Sequence, residues 1–194
     1  MKLSILIPTI VGRENQFNSL YESIDSQITD EVEIITLCDN KELSIGSKRD
    51  ILYNKAKGLY SVQIDDNDSI SLDYVKIILE AIKSGADCVG YYERCTIEGK
   101  IKRSKISLYN ECWVSLKEPI KGIDYLRTPF FKVPIKTRIC QAVGVSDMRY
   151  NEDEDFSIRI KKHLRTEIFV PFDMYYYTGF GLTKEQINTR YGVI

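Results

Sequence analysis

Four adjacent polar residues follow a predicted strand, and they are the residues of this sequence best suited to chemistry. Asp65, Asp66, Asn67 and Asp68 come directly after the apolar run 60–64. Crowded carboxylates repel one another unless a cation compensates them. Mg²⁺ and Mn²⁺ favour hard oxygen ligands, and a metal that also binds a diphosphate needs only one or two carboxylates from the protein. The run therefore predicts a divalent-metal site beside a diphosphate.

A plain turn explains the same acidic run equally well. Asp68 or Ser69 could cap the helix that follows, and such caps are common. A calcium-binding loop is excluded by spacing, because it requires glycine and glutamate where Ile70 and Lys76 stand. From the residues alone, the metal site and the solvated turn both stay open.

A second acidic cluster, Glu152 to Asp155, begins a predicted helix. Asp153 could take the proton of a hydroxyl group within hydrogen-bond reach, as a general base does. Its acidic neighbours would raise its pKa, whereas the first turn of a helix favours the anion. The residues alone favour a structural explanation, since acids stabilise helix N-termini.

The elements that carry these residues alternate between strand and helix over the first 92 residues. Apolar runs predict strands at 3–8, 32–37, 60–64 and 86–92. Apolar residues at helical spacing predict helices near 17–28, 47–58 and 72–85, the second capped by Ser47. This alternation indicates a parallel sheet with helices on both faces. Ligands of such sheets bind beyond the carboxyl ends of the strands, which selects the loops 9–15, 39–46 and 65–68.

The second half of the chain predicts a less regular structure. Thr96–Lys105 has the pattern of a hairpin that turns at residues 98–100, and helices are predicted at 134–143 and from Glu152 to Leu164. A last strand is predicted at 167–170. The aromatic residues between them are interpreted as core, with a platform for a sugar ring as the alternative for one or two of them; they are Trp113, Tyr125, Phe130 and Phe131. No linker is visible, so we expect one domain, 1–194, with halves 1–92 and 93–194.

Composition narrows the possible functions. The 27 basic and 28 acidic residues give a net charge of −1, which provides no electrostatic footprint for nucleic acid. The five cysteines form no CxxC pair, which argues against a zinc cage and favours a reducing compartment. No apolar segment approaches the roughly 20 residues of a membrane span, and the N-terminus lacks the pattern of a signal peptide. We therefore expect a cytoplasmic protein.

Four segments together resemble a family 2 glycosyltransferase of the GT-A fold. They are LSILIPT at 3–9, GSKRD at 46–50 with AKGLY at 56–60, QIDDND at 63–68 with Tyr74, and NEDEDF at 151–156 with Arg159. They occur in the family's order and cover residues 1–170. The resemblance implies a Rossmann-like three-layer αβα sandwich with a mostly parallel central sheet.

The resemblance also implies an activity and a set of residues. A sugar would pass with inversion from a nucleotide-diphosphate sugar, such as a UDP-sugar, to a glycan or other hydroxyl acceptor, with Mn²⁺ or Mg²⁺ as cofactor. Asp39 would accept a hydrogen bond from the base, Arg49 would face the diphosphate, and Asp153 would be the general base. The implied donor-binding residues are Pro8, Thr9, Asp39, Arg49, Asp65 and Asp66; the implied metal ligands are Asp66, Asn67 and Asp68; the implied catalytic residues are Asp153 and Glu152.

The metal ligands and the activity each leave alternatives. Asn67 stands where the family's DXD-type motif has aspartate, so either Asn67 coordinates the metal or Asp66 and Asp68 act as a shifted pair. A catalytically silent sugar-nucleotide-binding module is a second possible function. A nucleotidyltransferase is a third, but it would be expected to have a glycine-rich basic loop after the first strand, where residues 9–15 contain one glycine and one arginine.

Overall fold

The computed structural model describes residues 1–97, 99–111 and 113–178, which form ten strands and five α-helices. The strands are β1 (Leu3–Ile10), β2 (Val32–Asp39), β3 (Tyr60–Gln63), β4 (Ser69–Ile70), β5 (Cys88–Ile97), β6 (Lys100–Ile106), β7 (Val114–Ile120), β8 (Ile123–Arg127), β9 (Ile135–Lys136) and β10 (Glu167–Thr178). The helices are α1 (Glu14–Asp25), α2 (Ile45–Lys55), α3 (Tyr74–Ala81), α4 (Thr137–Val143) and α5 (Glu152–Lys161).

All ten strands belong to one mixed sheet. Its main path runs β2-β1-β3-β9-β5-β6-β8-β7, and β10 pairs with β5 and with β4. β1 is parallel to both β2 and β3, and β10 is parallel to β5. The short strand β9 is antiparallel to β3 and to β5, so those two strands run in the same direction. The predicted fold class, α/β with a mostly parallel central sheet, is confirmed.

Strand β1 lies between β2 and β3 in the sheet and is almost completely buried. Its first seven residues are buried, without the alternation of a half-exposed strand. Such a run fits a central parallel strand that is covered on both faces. α4 contacts both α2 and α5, and Gln27, just after α1, accepts the Val75 N–H of α3 through its side-chain oxygen. The helices therefore form two groups, one of α2, α4 and α5 and one of α1 and α3.

Capping residues and the spacing of apolar residues predicted where the helices lie, but some of the predicted helix ends were wrong. α2 begins three residues earlier than expected, because Ser44 and not Ser47 is the cap: the Ser44 hydroxyl accepts the Ser47 N–H at 2.9 Å. α1 ends at Asp25, before the predicted residue 28, and α5 ends at Lys161, before Leu164. Leu164 is nevertheless buried in the core.

The second half is more regular than predicted. The segment interpreted as irregular contains the hairpin β7–β8, whose turn residues Lys121 and Gly122 have positive φ angles. Residues 135–136 are strand β9, so helix α4 begins only at Thr137. The last strand runs on to Thr178 across two register shifts. The predicted hairpin is confirmed as β5–β6, although Glu98 of its turn lies outside the described residues.

The remaining expectations are tested only in part. Cys38, Cys88, Cys95 and Cys140 are free thiols; Cys112 and residues 179–194, which complete the predicted domain, lie outside the described residues. Among the residues that the structure describes, no helix is long and apolar enough to cross a membrane.

Candidate functional site

A cleft containing two adjoining cavities lies beyond the carboxyl ends of β1 and β3. Each cavity has a volume of about 530 Å³. The N-terminal cavity is lined mainly by residues between 8 and 67, and the C-terminal cavity mainly by residues between 93 and 153. The two cavities share Arg49, Asp65, Arg149 and Tyr150, so they form one continuous site.

The fold brings most of the predicted residues to this cleft. The N-terminal cavity is lined by six of the predicted donor or metal residues: Pro8, Thr9, Arg49, Asp65, Asp66 and Asn67. Glu152 and Asp153 line the C-terminal cavity. Asp39 and Asp68 line neither cavity.

The acidic run forms a turn after β3, closed by the Asp68 N–H bond to the Asp65 carbonyl at 3.0 Å. Both carboxylate oxygens of Asp66 are engaged: Thr9 Oγ1 donates to one at 2.7 Å and Arg13 donates to the other at 2.8 Å. Asp68 is fully buried and accepts the Tyr175 hydroxyl at 2.7 Å. These two aspartates thus act as acceptors within the fold.

The predicted metal ligands do not fit a metal ion in this arrangement. Asp66 would have to release Thr9 and Arg13 before it could coordinate a cation, and Asp68 is buried, lines neither cavity and is engaged by Tyr175 and Lys132. Among the described residues, no three His, Cys, Asp or Glu side chains are grouped so that they could hold a metal ion. The arrangement therefore does not support a reaction step that uses a metal ion bound by these residues.

Asp39 contributes to the site through Lys48. Its carboxylate forms an ion pair with the buried Lys48 ammonium and accepts the Leu43 N–H at 2.8 Å. Lys48 also donates to the Thr9 carbonyl at 2.8 Å and lines the N-terminal cavity. Burial raises the pKa of Asp39, but Lys48 and the Leu43 N–H outweigh this effect and lower it. Its contact with a nucleotide base stays a prediction.

Arg49 connects the two cavities. The guanidinium donates to Asp65 at 2.8 Å and to Glu152 at 3.2 Å, and it stacks 3.4 Å above the centre of the Phe131 ring. Arg49 is only 3% exposed. Burial raises the pKa of Asp65, yet Arg49 outweighs burial and holds it below the ordinary value. Arg49 therefore holds the Asp65 carboxylate in one direction and, through Glu152, the first turn of α5 in the other.

Glu152 and Asp153 differ in their surroundings although they are neighbours. Glu152 is 8% exposed, and burial raises its pKa despite the Arg49 charge. Asp153 is half-buried, accepts the Glu154 N–H at 2.9 Å, and lines the C-terminal cavity. Glu152 is thus held by Arg49, whereas Asp153 is a less buried carboxylate in the wall of the C-terminal cavity.

Lys132 is a buried cation that the sequence analysis missed. It donates to Glu93 at 2.8 Å and lies 3.4 Å from Asp68. Burial lowers its pKa, but these carboxylates outweigh burial and raise it above the ordinary value. The available signal was one charge in the apolar run 129–134, because a lysine among buried residues needs a partner.

The aromatic residues are partly core and partly cavity wall. Phe130 and Phe131 are buried, and both also line the C-terminal cavity together with Trp113 and Tyr125. The Trp113 ring meets Phe130 edge-on at 5.0 Å, and Arg127 lies 5.0 Å from both the Trp113 and the Tyr125 rings. The interpretation as core is therefore confirmed for Phe130 and Phe131, and the platform for a sugar ring stays a prediction.

Comparison by structure finds the glycosyltransferase TarS of S. aureus. TarS 1–349 in complex with UDP superposes with a TM-score of 0.70 at 16% identity, covering 92% of this chain and 60% of that one. TarS 1–349 in complex with UDP-GlcNAc gives 0.69 at 15% identity, covering 93% and 59%.

The likeness is one of fold. A longer TarS structure gives a TM-score of 0.65 and only 37% of it is covered, so this chain spans three fifths or less of these TarS chains. No protein-family model and no curated protein matches the sequence. The chain accordingly has a glycosyltransferase fold, with a mostly parallel central sheet.

Proposed function

We propose that this chain is a glycosyltransferase, related to family 2, that transfers a sugar from a nucleotide-diphosphate sugar to a hydroxyl acceptor. The observation that carries the proposal is the continuous cleft, in which Arg49 joins the cavity of Pro8, Thr9 and Asp65 to the cavity of Asp153. The UDP and UDP-GlcNAc complexes of TarS, which has the same fold, support a UDP-sugar as donor.

In this proposal the N-terminal cavity holds the nucleotide and the C-terminal cavity holds the acceptor. Asp153 accepts the proton of the acceptor hydroxyl as its oxygen attacks the anomeric carbon, and the nucleoside diphosphate leaves from the opposite face. Attack opposite to the leaving group inverts the anomeric configuration. Glu152 and Arg49 hold the first turn of α5 against the donor side, which fixes the position of Asp153.

The test compares two aspartates of the same helix. Asp153→Asn should lower turnover of UDP-GlcNAc or another UDP-sugar by about 10²–10⁴-fold, the usual contribution of a general base, while UDP binding is unchanged. Asp155→Asn is the matched control, because Asp155 pairs with Arg159 and Ser146 and lines neither cavity. Equal turnover by Asp153→Asn and the wild type would refute the assignment of the base.

The reaction products separate the competing functions. Release of UDP from the donor indicates glycosyl transfer, whereas UMP would indicate a nucleotidyltransferase. Tight binding of UDP-sugars without release of either product, over a panel of sugar acceptors, would favour the catalytically silent module.

A further inference from the structure

The charges that line the N-terminal cavity are unequal. Five cationic side chains of the described residues line it: Arg13, Lys41, Lys48, Arg49 and Arg149. The carboxylates that line it are Asp65 and Asp66. The cavity wall is therefore strongly positive, as expected of a site for a polyanion.

The ion pairs show which cations supply the excess. Arg49 pairs with Asp65, and Arg13 pairs with Asp66. Lys48 pairs with Asp39 behind the wall. Each lining carboxylate is thus matched by one of these cations. The remaining positive charge of the wall belongs to Lys41 and Arg149, which are both exposed; Arg149 also interacts with the Asp147 carboxylate, which lies outside both cavities.

Lys41 and Arg149 reach the cavity from opposite halves of the chain. Lys41 follows β2 with a left-handed backbone, φ 67°, and Arg149 precedes α5 and lies 3.4 Å from the Glu42 carbonyl. Arg149 also lines the C-terminal cavity. A group bound in the N-terminal cavity would therefore have both side chains in the wall around it.

We infer that Lys41 and Arg149 neutralise the donor's diphosphate, so that this chain needs no divalent metal. The inference rests on the proposed glycosyl transfer and concerns its leaving group. As the acceptor oxygen bonds to the anomeric carbon, the bond from that carbon to the phosphate oxygen breaks and its electron pair leaves with the nucleoside diphosphate. The hydroxyl proton passes to Asp153. Ammonium and guanidinium groups placed at phosphate oxygens stabilise the charge that develops there.

The contacts of Asp66 explain why cations of the protein, and not a metal ion, would lie beside the diphosphate. A metal at the acidic run would have to compete with Arg13 and Thr9 for Asp66, leaving Arg13 without its carboxylate. At the position where a third carboxylate would face the cavity, the chain has the neutral Asn67. The acidic run therefore pairs with cations of the protein, which leaves the phosphates to Lys41 and Arg149.

The test is binding of UDP to the full chain, measured by isothermal titration calorimetry in EDTA and again with Mn²⁺ or Mg²⁺. We expect dissociation constants that agree within about threefold, and turnover that survives EDTA. Because the binding is ionic, it should weaken steeply as salt rises. UDP binding only when metal is present would overturn the inference while leaving the proposed function intact. No binding of UDP, GDP, CDP or ADP under either condition would overturn both.

Two charge-removing variants test the residues named. Lys41→Gln and Arg149→Gln should each weaken UDP binding in EDTA by about tenfold, the contribution of one charge-assisted hydrogen bond, and leave uridine binding unchanged. Lys83→Gln is the matched control, since Lys83 is exposed, pairs with Glu80 and lines neither cavity. Equal losses for UDP and uridine, or no loss for either variant, would contradict the inference.

A third variant adds a negative charge to the cavity wall instead of removing a positive one. Asn67→Asp adds a carboxylate to the cavity wall, so UDP binding in EDTA should weaken and Mn²⁺ should restore part of it. If Asn67→Asp binds UDP in EDTA as tightly as the wild type does, the positive wall is not what holds the diphosphate. Thermal unfolding of each variant checks that it remains folded.

Discussion

Replacing Arg49 by methionine tests the buried network at the centre of the site. Methionine keeps much of the length and the contact with Phe131 but removes the charge. Asp65 and Glu152 then lose their shared cation inside the protein. Breaking a buried ion pair by removing one partner costs about 3–5 kcal/mol.

The structure places the expected loss near the lower end of that range. The Asp65 side chain is 25% exposed, so water screens part of its uncompensated charge. Glu152 already has a raised pKa, so protonation limits the cost of leaving it buried. We expect the free energy of unfolding to fall by about 3 kcal/mol, which lowers the urea midpoint by about 1.5 M at an m-value of about 2 kcal/mol per M.

Urea unfolding followed by tryptophan fluorescence is the assay. Trp113 is the only tryptophan, and it packs on Phe130 and donates to Ser157 at 3.0 Å, so its emission reports this part of the core. Arg94→Met is the control. Arg94 is 47% exposed, and its partner Asp173 keeps a second arginine, so removal should cost at most about 1 kcal/mol.

The refuting result is a loss for Arg49→Met no larger than that for Arg94→Met. A double-mutant cycle adds a second check: in a Glu152→Gln background, Arg49→Met should cost less by about 0.5–3 kcal/mol, the usual coupling of residues in contact. Strict additivity would show that the Arg49–Glu152 contact contributes nothing.

Three further outcomes are expected. Gly46→Ala would place its Cβ against the Ser146 carbonyl and 2.8 Å from the Met148 nitrogen, which shifts α2 and Arg49, so turnover should fall by about 10²-fold. Gly85→Ala is the control: it has open space around it but a positive φ of 72°, so it should lower the stability and leave the turnover of the folded protein unchanged. Burial raises the pKa of Asp87, but Lys136 and two backbone N–H groups outweigh burial and hold the pKa below its ordinary value. The ionised Asp87 therefore stabilises the fold above about pH 4, and this stabilisation is lost as the pH falls through the pKa of the folded state. Asp87→Asn should accordingly make the free energy of unfolding, measured by urea unfolding, depend less on pH in the acidic range. Tyr175→Phe removes the hydroxyl that donates a hydrogen bond to the buried Asp68 carboxylate. The free energy of unfolding should therefore fall by about 1–3 kcal/mol in the same assay. An unchanged urea midpoint would mean that Asp68 does not depend on this hydrogen bond.

The sequence determined the elements of the first half and their order. Apolar runs and helical spacing are local properties, so β1, β2, β3 and the helices between them were predicted within a few residues. The loops at the strand ends could be selected as the site because parallel strands deliver their carboxyl ends to one edge of a sheet. In the second half, the hairpin of β7 and β8 was missed because β7 is mostly exposed and has no run of apolar residues, although Lys121 and Gly122 form a local turn.

Only the tertiary structure decided what the acidic residues do. The sequence presented Asp65 to Asp68 as a group of equivalent carboxylates, whereas the fold pairs Asp66 with Arg13, 53 residues away, and Asp68 with Tyr175, 107 residues away. Similarly, Glu152 and Asp153 are adjacent in the chain and line the same cavity, but α5 buries Glu152 against Arg49 and leaves Asp153 partly exposed. Charge partners are chosen by distance in space, and the energy of a carboxylate depends on those partners and on its burial. Residue types therefore fixed which chemistry was available, and the fold fixed which carboxylates remain to perform it.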